Sequence, residues 1–174
     1  MNLRCWQQKN KNVKEGAILA SIQLVVFAVD NQEYGIDVLA VNGILRAKKF
    51  KIQLLPGMPK SIEGIINLRG QVKYLYNLRN KFHLHDEAMS NESKFVMLNI
   101  CDSIAGWIVD EVTDIVKMEE EDLEIPPNCV NGSSNHYIKS IGKIDERLII
   151  ILNPEKVLAQ EDLPDIPLPD KLVI

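Results

Sequence analysis

Short apolar segments separated by turn residues run through the middle of the chain. The first, Gln23 to Val29, is apolar after its opening glutamine and stops at Asp30-Asn31, a pair that favours tight turns. A hairpin into a second strand at Tyr34 to Val38 is therefore predicted. The same pattern predicts further strands at Ile62 to Leu68, Gln71 to Leu78, Lys94 to Ile100, Ile104 to Val109, Asp114 to Met118, Tyr137 to Ile144 and Arg147 to Leu152. Many short strands with frequent turns are typical of a β-sandwich or of β-barrels.

Helical signals are few. Asn153 is a favourable N-cap residue and Pro154 fits the first helical position, so a short helix is predicted from there to about Gln160. A second short helix is predicted over Asp37 to Leu45, where the apolar residues match a helical face poorly. The fold class expected from these elements is all-β with a short C-terminal helix.

Two of the predicted strands are apolar on both faces. Leu148 to Leu152 contains no polar residue, and Gln23 to Val29 contains only its first. A strand that is apolar on both faces must be covered on both, whereas an ordinary barrel strand alternates between a dry and a wet face. This pattern predicts either two small barrels that share an apolar seam or one barrel with a partner over it.

The length and the ends of the chain predict one central domain. A chain of 174 residues buries about 70% of its unfolded surface on folding, which is enough for one self-sufficient core. Residues 1–16 are polar and aperiodic, so a mobile N-terminal arm is expected before a domain over residues 17–160. Three prolines fall between Leu163 and Pro169, which predicts an extended tail over residues 161–174.

Charge and cysteine usage narrow the class of protein. Twenty Lys and Arg against twenty-four Asp and Glu give a net charge of −4, which argues against a sequence-independent hold on nucleic acid. The basic N-terminus is not followed by the apolar run of a secretory signal, and no apolar run reaches the roughly 20 residues needed to cross a bilayer. The three cysteines have neither zinc-site nor redox-pair spacing. A cytoplasmic protein with reduced thiols is expected.

Catalytic signatures are missing from the sequence. It contains no phosphate-binding loop, dinucleotide fingerprint, nucleophile elbow or zincin helix. His83 and His85 could share one face of a strand beside Asp86, but a polar turn explains the triplet better than a metal site. The acidic run Glu119 to Asp122 lacks the glycine turn and alternating ligands of a hard-cation loop and is interpreted as a solvated turn or the start of a helix. No catalytic residue, metal or cofactor is therefore predicted.

One short motif does indicate a partner. Gly64-Ile65-Ile66-Asn67-Leu68-Arg69-Gly70 places an arginine at the end of an apolar strand, between two glycines that permit unusual backbone angles. Arg69 could cap carbonyl groups or pair locally. It could equally face a protein partner, because arginine is enriched among the residues that dominate interface energies.

At this motif the chain resembles the CheW family of chemotaxis coupling proteins, and the resemblance extends in order over about residues 22 to 159. The pieces that carry it are Phe27-Ala28-Val29 with Glu33 to Val38, Leu55-Pro56 with Pro59, Ile62-Glu63-Gly64, Asn67-Leu68-Arg69-Gly70, Phe95 to Leu98, Ile108 to Val112, Gly142, Arg147 to Leu152 and Glu155 to Leu158. Each piece alone is weak, but the ordered set is specific.

The resemblance implies a fold and a role. The fold is two small five-stranded β-barrels packed side by side, with an apolar seam between them. The role is that of a non-enzymatic adaptor that binds the regulatory domain of the histidine kinase CheA and the cytoplasmic tip of chemoreceptors, and so joins them in signalling arrays. The length leaves no room for the additional domains of CheA or CheV, so a free-standing adaptor is expected.

The resemblance also suggests where the partners bind. The receptor tip is helical and is expected in an apolar groove at the seam, for which the candidate residues are Val41, Ile66, Asn67 and Arg69. Contact with CheA is expected at barrel-edge strands and loops, for which the candidates are Tyr34, Ile36, Asp37, Leu75 and Leu78.

The chain departs from the family pattern at three positions. The family commonly has an acidic residue where this chain has Gly43, so Arg69 must pair with Glu63 or Asp37 or face solvent. The family's proline and aspartate after the motif are replaced by Tyr74 and Asn77. Tyr74 restores a backbone donor, so this strand could extend a ladder that proline would interrupt. A divergent scaffold for another receptor or kinase set is therefore a second hypothesis.

Two other functional classes, an enzyme and a nucleic-acid-binding protein, fit the sequence less well than an adaptor. A small β-barrel enzyme would need a nucleophile with its base, or a set of metal ligands, and the histidines supply neither. A nucleic-acid-binding barrel would need basic stripes interleaved with aromatic residues, whereas aromatic residues make up only 6% of this acidic chain.

Overall fold

Two β-sheets make up the computed structural model, which describes residues 21–100, 102–126 and 136–158. The predicted arm at 1–16, the tail at 161–174, the end of the last helix near Gln160 and the three cysteines lie outside the described residues. The strands are β1 (Ile22–Val29), β2 (Gln32–Asp37), β3 (Val41–Arg46), β4 (Ile62–Leu68), β5 (Gln71–Asn77), β6 (Lys94–Ile100), β7 (Ser103–Val109), β8 (Glu111–Met118), β9 (Leu123–Glu124), β10 (Ile138–Ile144) and β11 (Arg147–Leu152). The helices are α1 (Leu78–Lys81) and α2 (Pro154–Val157).

The first sheet has six strands in the order β8-β1-β2-β11-β10-β9. Its neighbours pair antiparallel except β2 and β11, which are parallel, with Tyr34 opposite Ile150. Asp30 and Asn31 both have positive φ, so the β1–β2 connection is the tight two-residue turn that the sequence predicts. One side of this sheet encloses its own core, made of Leu24, Val26, Met118, Ile149 and Ile151.

The second sheet has five strands in the order β3-β6-β7-β5-β4. An isolated bridge between Gln53 and Ile65 attaches the segment after β3 to β4, so the two ends of the sheet curl towards each other. The sheet encloses a second core, made of Ala47, Ile66, Leu75, Phe95, Met97 and Ile108. The two sheets are called below the first and the second barrel.

The largest core lies between the barrels and is called the seam. Val25, Phe27 and Val29 of β1 face it from the first barrel, while Leu24 and Val26 face the interior of that barrel. Strands β6 and β7 are divided in the same way on the other side, with Val96, Leu98, Trp107 and Val109 in the seam. Strands covered on both faces explain the continuous apolar runs in the sequence. The predicted apolar seam between two barrels is confirmed.

Several sequence predictions need correction. A helix over Asp37 to Leu45 is wrong, because Val38–Ala40 forms only a single 3-10 turn and β3 follows it. The expectation of five strands in each barrel holds for the second, whereas the first gains the two-residue β9. The predicted burial of Leu148 to Leu152 on both faces is wrong at Leu148, which is 54% exposed. Among the described residues no helix is long and apolar enough to cross a membrane.

Candidate functional site

Arg69 sits at the tip of the hairpin between β4 and β5. Arg69 and Gly70 both have positive φ, which gives the two-residue turn its twist and leaves the Arg69 side chain exposed. The side chain of Asn67 accepts a hydrogen bond from the Gly70 N–H at 2.8 Å and fixes the turn. The arginine is therefore held outward by a well-defined backbone.

Arg69 has no side-chain partner within the described part of the chain. Glu63 instead accepts a hydrogen bond from the Asn77 amide at 3.0 Å, and Asp37 accepts one from the Leu39 N–H at 2.9 Å. Pairing of Arg69 with either carboxylate is thus wrong in this structure, and the other alternative, an arginine that faces solvent, is what the structure shows. A Cβ atom at Gly43 would meet nothing within 4 Å, so the absent acidic side chain leaves open space.

An apolar strip lies on the seam side of the second sheet, at the same end as Arg69. Val72 is 42% exposed, and the others are partly buried against the seam core. The members of this strip, called the seam rim, are Val41, Val72, Tyr74, Ile100 and Ala105. The strand pairings bring the start of β3, the end of β6 and the starts of β7 and β5 to the same end of the sheet. The Arg69 turn between β4 and β5 lies at that end.

The four receptor candidates are only partly brought together. Val41 belongs to the seam rim, and exposed Asn67 lies directly opposite Val72 on the neighbouring strand. Ile66 is 2% exposed and packs inside the second barrel, so its predicted place in a surface groove is wrong. Successive strand residues point to opposite faces, and Ile66 faces away from the side that carries Asn67.

The kinase candidates are mostly interior residues. Tyr34, Ile36 and Leu78 pack in the seam core and Leu75 in the second barrel, so none of their side chains can line an outer surface. Strands β2 and β5 are also internal, since each pairs with a strand on both sides, and the expected edge position is wrong. Asp37 alone of this group is partly exposed, at the border of an open cleft of about 640 Å³.

Tyr74 and Asn77 take on roles that the replaced residues could not both fill. Tyr74 lies within the β4–β5 ladder opposite Ile65, where a proline could not donate a hydrogen bond. The Asn77 side chain accepts hydrogen bonds from the Arg79 and Asn80 N–H groups and so caps α1. An aspartate could cap in the same way but could not also donate to Glu63, as the Asn77 amide does.

A buried arginine, which the sequence analysis missed, holds the two barrels together. Arg79 binds Asp110 through two hydrogen bonds of 3.1 and 2.7 Å and donates to the His85 carbonyl at 3.0 Å. It also contacts Asp30 in the first barrel and Glu87 in the loop before β6. Hydrogen bonding to Asp110 raises the pKa of Arg79 above its usual value. The only signal in the sequence was an arginine directly after an apolar strand.

A second ion group closes one end of the first barrel. Arg147 binds Glu33 through two hydrogen bonds of 3.0 and 2.7 Å and lies 3.5 Å from Asp114. The hydrogen bond from Arg147 lowers the pKa of the Glu33 carboxyl below its usual value, against the smaller opposing effect of burial. This group joins β11, β2 and β8 across the sheet.

Aromatic rings line the opposite edge of the seam. Tyr34, Phe82 and Tyr137 stack in series with ring centroids 5.0 and 5.4 Å apart. Burial raises the pKa values of Tyr34 and Tyr137, so both phenols stay neutral at physiological pH. The rings therefore act as packing groups.

The histidines near Phe82 do not form a metal centre within the described ranges. His83 has a positive φ in the turn after α1, and the His85 carbonyl accepts a hydrogen bond from Arg79. Across residues 21–100, 102–126 and 136–158, no group of three or more His, Cys, Asp or Glu is placed to hold a metal ion. The segment that contains these histidines instead contacts Arg79, through the His85 carbonyl and the Glu87 carboxylate.

Comparison with known proteins gives a consistent result. A family model described as a CheW-like domain matches residues 23–162. The chain is 33% identical to chemotaxis protein CheW of Bacillus subtilis over 80% of this chain and 88% of that protein. It is 30% identical to chemotaxis protein CheW of Treponema pallidum over 81% of this chain and 84% of that protein. The crystal structure of the scaffolding protein TtCheW from Thermoanaerobacter tengcongensis superposes with a TM-score of 0.76 at 27% identity, covering 86% of this chain and 99% of that one.

Proposed function

Because this chain belongs to the CheW family of chemotaxis scaffold proteins, we propose that it couples chemoreceptors to the histidine kinase CheA by binding both at once. The observation that carries this proposal is an exposed Arg69, without a side-chain partner among the described residues, next to a strip of apolar side chains on a molecule whose two barrels are filled by their own cores. Such a surface is suited to docking a partner.

The receptor tip is proposed to lie along the seam rim. A receptor helix would place apolar residues against Val41 and Val72, while Arg69 and Asn67 contact polar groups beside it. The turn already fixes the backbone of Arg69, so binding has to order only its side chain, whose planar guanidinium can make several directed hydrogen bonds. Ile66 supports this surface from within the barrel rather than contacting the receptor.

The kinase regulatory domain is proposed to bind elsewhere on the molecule. Asp37 and the exposed Leu39 beside it border the open cleft at the end of the first barrel and could contact a partner directly. Tyr34, Ile36, Leu75 and Leu78 would hold the neighbouring strands in place from the cores. This cleft adjoins Val41 of the seam rim, because the 3-10 turn Val38–Ala40 leads directly into β3, so the two partners would lie side by side.

The proposed role is linkage without chemistry, in the cytoplasm, and with no cofactor. An adaptor changes kinase activity because its two binding events are coupled in free energy, so a shift in the receptor alters the state of the bound kinase. The described residues offer groups for packing and ion pairing, and the role needs no others.

A pull-down with purified fragments tests this proposal. The wild-type chain is expected to retain both a chemoreceptor cytoplasmic fragment and the CheA regulatory domain. Arg69→Glu is expected to lose most receptor binding and to keep the kinase domain, because it reverses the charge of the exposed anchor. Lys156→Glu, an exposed control on the first barrel outside the cleft, is expected to retain both. Retention of both partners by Arg69→Glu at the wild-type level would refute the role of Arg69.

A divergent receptor or kinase set is the second candidate function. Gly43 leaves Arg69 without the acidic neighbour common in the family, and Tyr74 adds a ring to the seam rim. Tyr74 lies on the proposed receptor surface, and Gly43 lies opposite Met97 on the strand that begins there at Val41. If this candidate is correct, the wild-type chain will bind receptors from its own genome and will fail to bind those of Bacillus subtilis.

A further inference from the structure

Charge is divided unequally between the two barrels. Residues 38–109, whose described part forms the second barrel, hold ten Lys and Arg against five Asp and Glu. Residues 21–37 and 110–158, whose described part forms the first barrel, hold five Lys and Arg against fourteen Asp and Glu. A protein with net charge −4 thus carries a positive barrel joined to a strongly negative one. Such a division orients a molecule as it approaches a charged partner.

Four of the positive charges lie together at the end of β3. They are Arg46, Lys48, Lys49 and Lys51, named here the basic turn, and all four are exposed. The residues between them fix the backbone. Ala47 is 4% exposed and its N–H donates to the Ser93 carbonyl at 3.1 Å, while the ring of Phe50 packs 6.1 Å from that of Phe95.

The basic turn is unpaired within the part of the chain that the structure describes. None of its four cations makes an ion pair or a side-chain hydrogen bond there, whereas Lys94, Lys117, Lys143, Arg79 and Arg147 all do. The charges are clustered, anchored and uncompensated. Like charges held this close repel one another, and the repulsion is relieved when an anion binds.

We propose that the basic turn binds a compact acidic surface on the CheA regulatory domain. This inference rests on the proposed adaptor function and adds to it the chemistry of one contact. The partner groups are carboxylates of Asp and Glu that converge on one side of the kinase domain. The contact accelerates and orients docking, as complementary charge does at other interfaces.

The position of the basic turn favours the kinase over the receptor. It follows the last residue of β3, while Val41 begins that strand at the end where Arg69 lies. Six strand residues separate the two ends by about 20 Å. A receptor docked at the seam rim and Arg69 would leave the basic turn free, so the kinase domain could contact it as a second site, separate from Asp37 and Leu39 beside Val41.

The charge of the whole molecule favours a compact acidic surface over an extended one. Nucleic acid or an anionic membrane would also meet the fourteen acidic residues of the first barrel and be repelled there. A second copy of this chain carries the same net charge of −4, so the two molecules repel each other at long range.

The test is titration of the full chain against the purified CheA regulatory domain at about 50 mM and about 300 mM salt. The wild-type affinity is expected to fall as salt rises. K48E/K49E is expected to bind about fivefold to tenfold more weakly at low salt and to lose most of the salt dependence. Its affinity for the receptor fragment is expected to be unchanged, and its thermal unfolding should match the wild type because both side chains are exposed.

K143E/K156E is the matched control, since it makes the same change in net charge at two exposed lysines of the first barrel that do not line the cleft beside Asp37. Equal weakening in both double variants, or none in K48E/K49E, would overturn the inference. So would a defect confined to the receptor fragment, salt-sensitive self-association that K48E/K49E abolishes, or binding to phosphatidylglycerol vesicles that the same change abolishes. A wild-type chain that binds no kinase domain would overturn the kinase part of the proposed function as well.

Discussion

Arginine serves two different purposes in this molecule. Arg79 and Arg147 are surrounded by carboxylates of their own chain and join elements that are distant in sequence. Arg69 is exposed on a tight turn without a partner among the described residues. The same guanidinium group therefore stabilises the fold at two sites and is left available for a partner at a third, and the backbone that carries it decides which.

The Glu33–Arg147 pair gives a prediction about pH. The pKa of Glu33 is lowered in the folded state, so its contribution to stability is full above the ordinary carboxyl pKa and is lost as the pH falls through the folded value. Arg147→Met is therefore expected to lower the free energy of unfolding at about pH 7 by roughly 1 kcal/mol, since the pair is partly exposed. The difference from wild type should shrink below about pH 4.

Urea unfolding of both proteins at a series of pH values measures this difference. Arg69→Met is a suitable control, because Arg69 has no carboxylate partner in the described ranges and its removal should leave the pH dependence as in wild type. A stability gap between wild type and Arg147→Met that stays constant from about pH 7 to about pH 3 would contradict the role of the pair.

At the scale of elements, strands covered on both faces define the fold. Met97 of β6 packs inside the second barrel, and its neighbour Leu98 packs in the seam. An ordinary surface strand would bury only one of two adjacent residues. The seam therefore depends on strands that serve two cores at once.

Paired substitutions in β6 test this double burial. Met97→Ala and Leu98→Ala are each expected to lower the free energy of unfolding by about 2–5 kcal/mol, because both side chains are fully buried. Ile115→Ala on β8, where the side chain is 55% exposed, is expected to cost less than about 1 kcal/mol. Chemical denaturation measures all three. If only one of the two β6 substitutions is costly, one face of the strand is not a core.

The sequence predicted those elements whose signals are local. Turn pairs such as Asp30-Asn31, and apolar runs such as β4, β6 and β11, were found at or near their observed bounds. The folded strand β3 alternates regularly between partly buried and exposed residues, but its sequence hides this, because Ile44 and Leu45 are both apolar and Gly43 carries no side chain. Partners that lie far apart in sequence, such as Arg79 and Asp110, leave no local pattern.

The candidate site was predicted less well than the fold, for a reason of geometry. Exposed Asn67 and Arg69 were found from their motif, but neighbouring Ile66 turned out to be interior. A sequence motif on a strand consists of consecutive residues, but only every second side chain points to the same face of the sheet. Tyr34, Ile36, Leu75 and Leu78 were misplaced because an apolar strand residue gives no sign of which core it enters.

At the scale of the whole molecule, the surfaces proposed for partner contacts lie at both ends of the second barrel. The seam rim and Arg69 lie at one end of the second barrel, and the basic turn lies at the other. The ion group around Arg79 ties the second barrel to the first through Asp30 and Asp110. A pair of barrels joined in this way can hold two partners in a fixed relation, which linkage between them requires.

Phosphorylation by the kinase is the most direct measurement of the central claim. CheA from the same genome would be assayed with membranes that contain a cognate chemoreceptor, with and without this chain. The adaptor account predicts that the receptor and its ligand change the rate of CheA autophosphorylation only when the chain is present, and that Arg69→Glu abolishes the change. Receptor control of the kinase that is equally strong without the chain, or absent with it, would contradict the account.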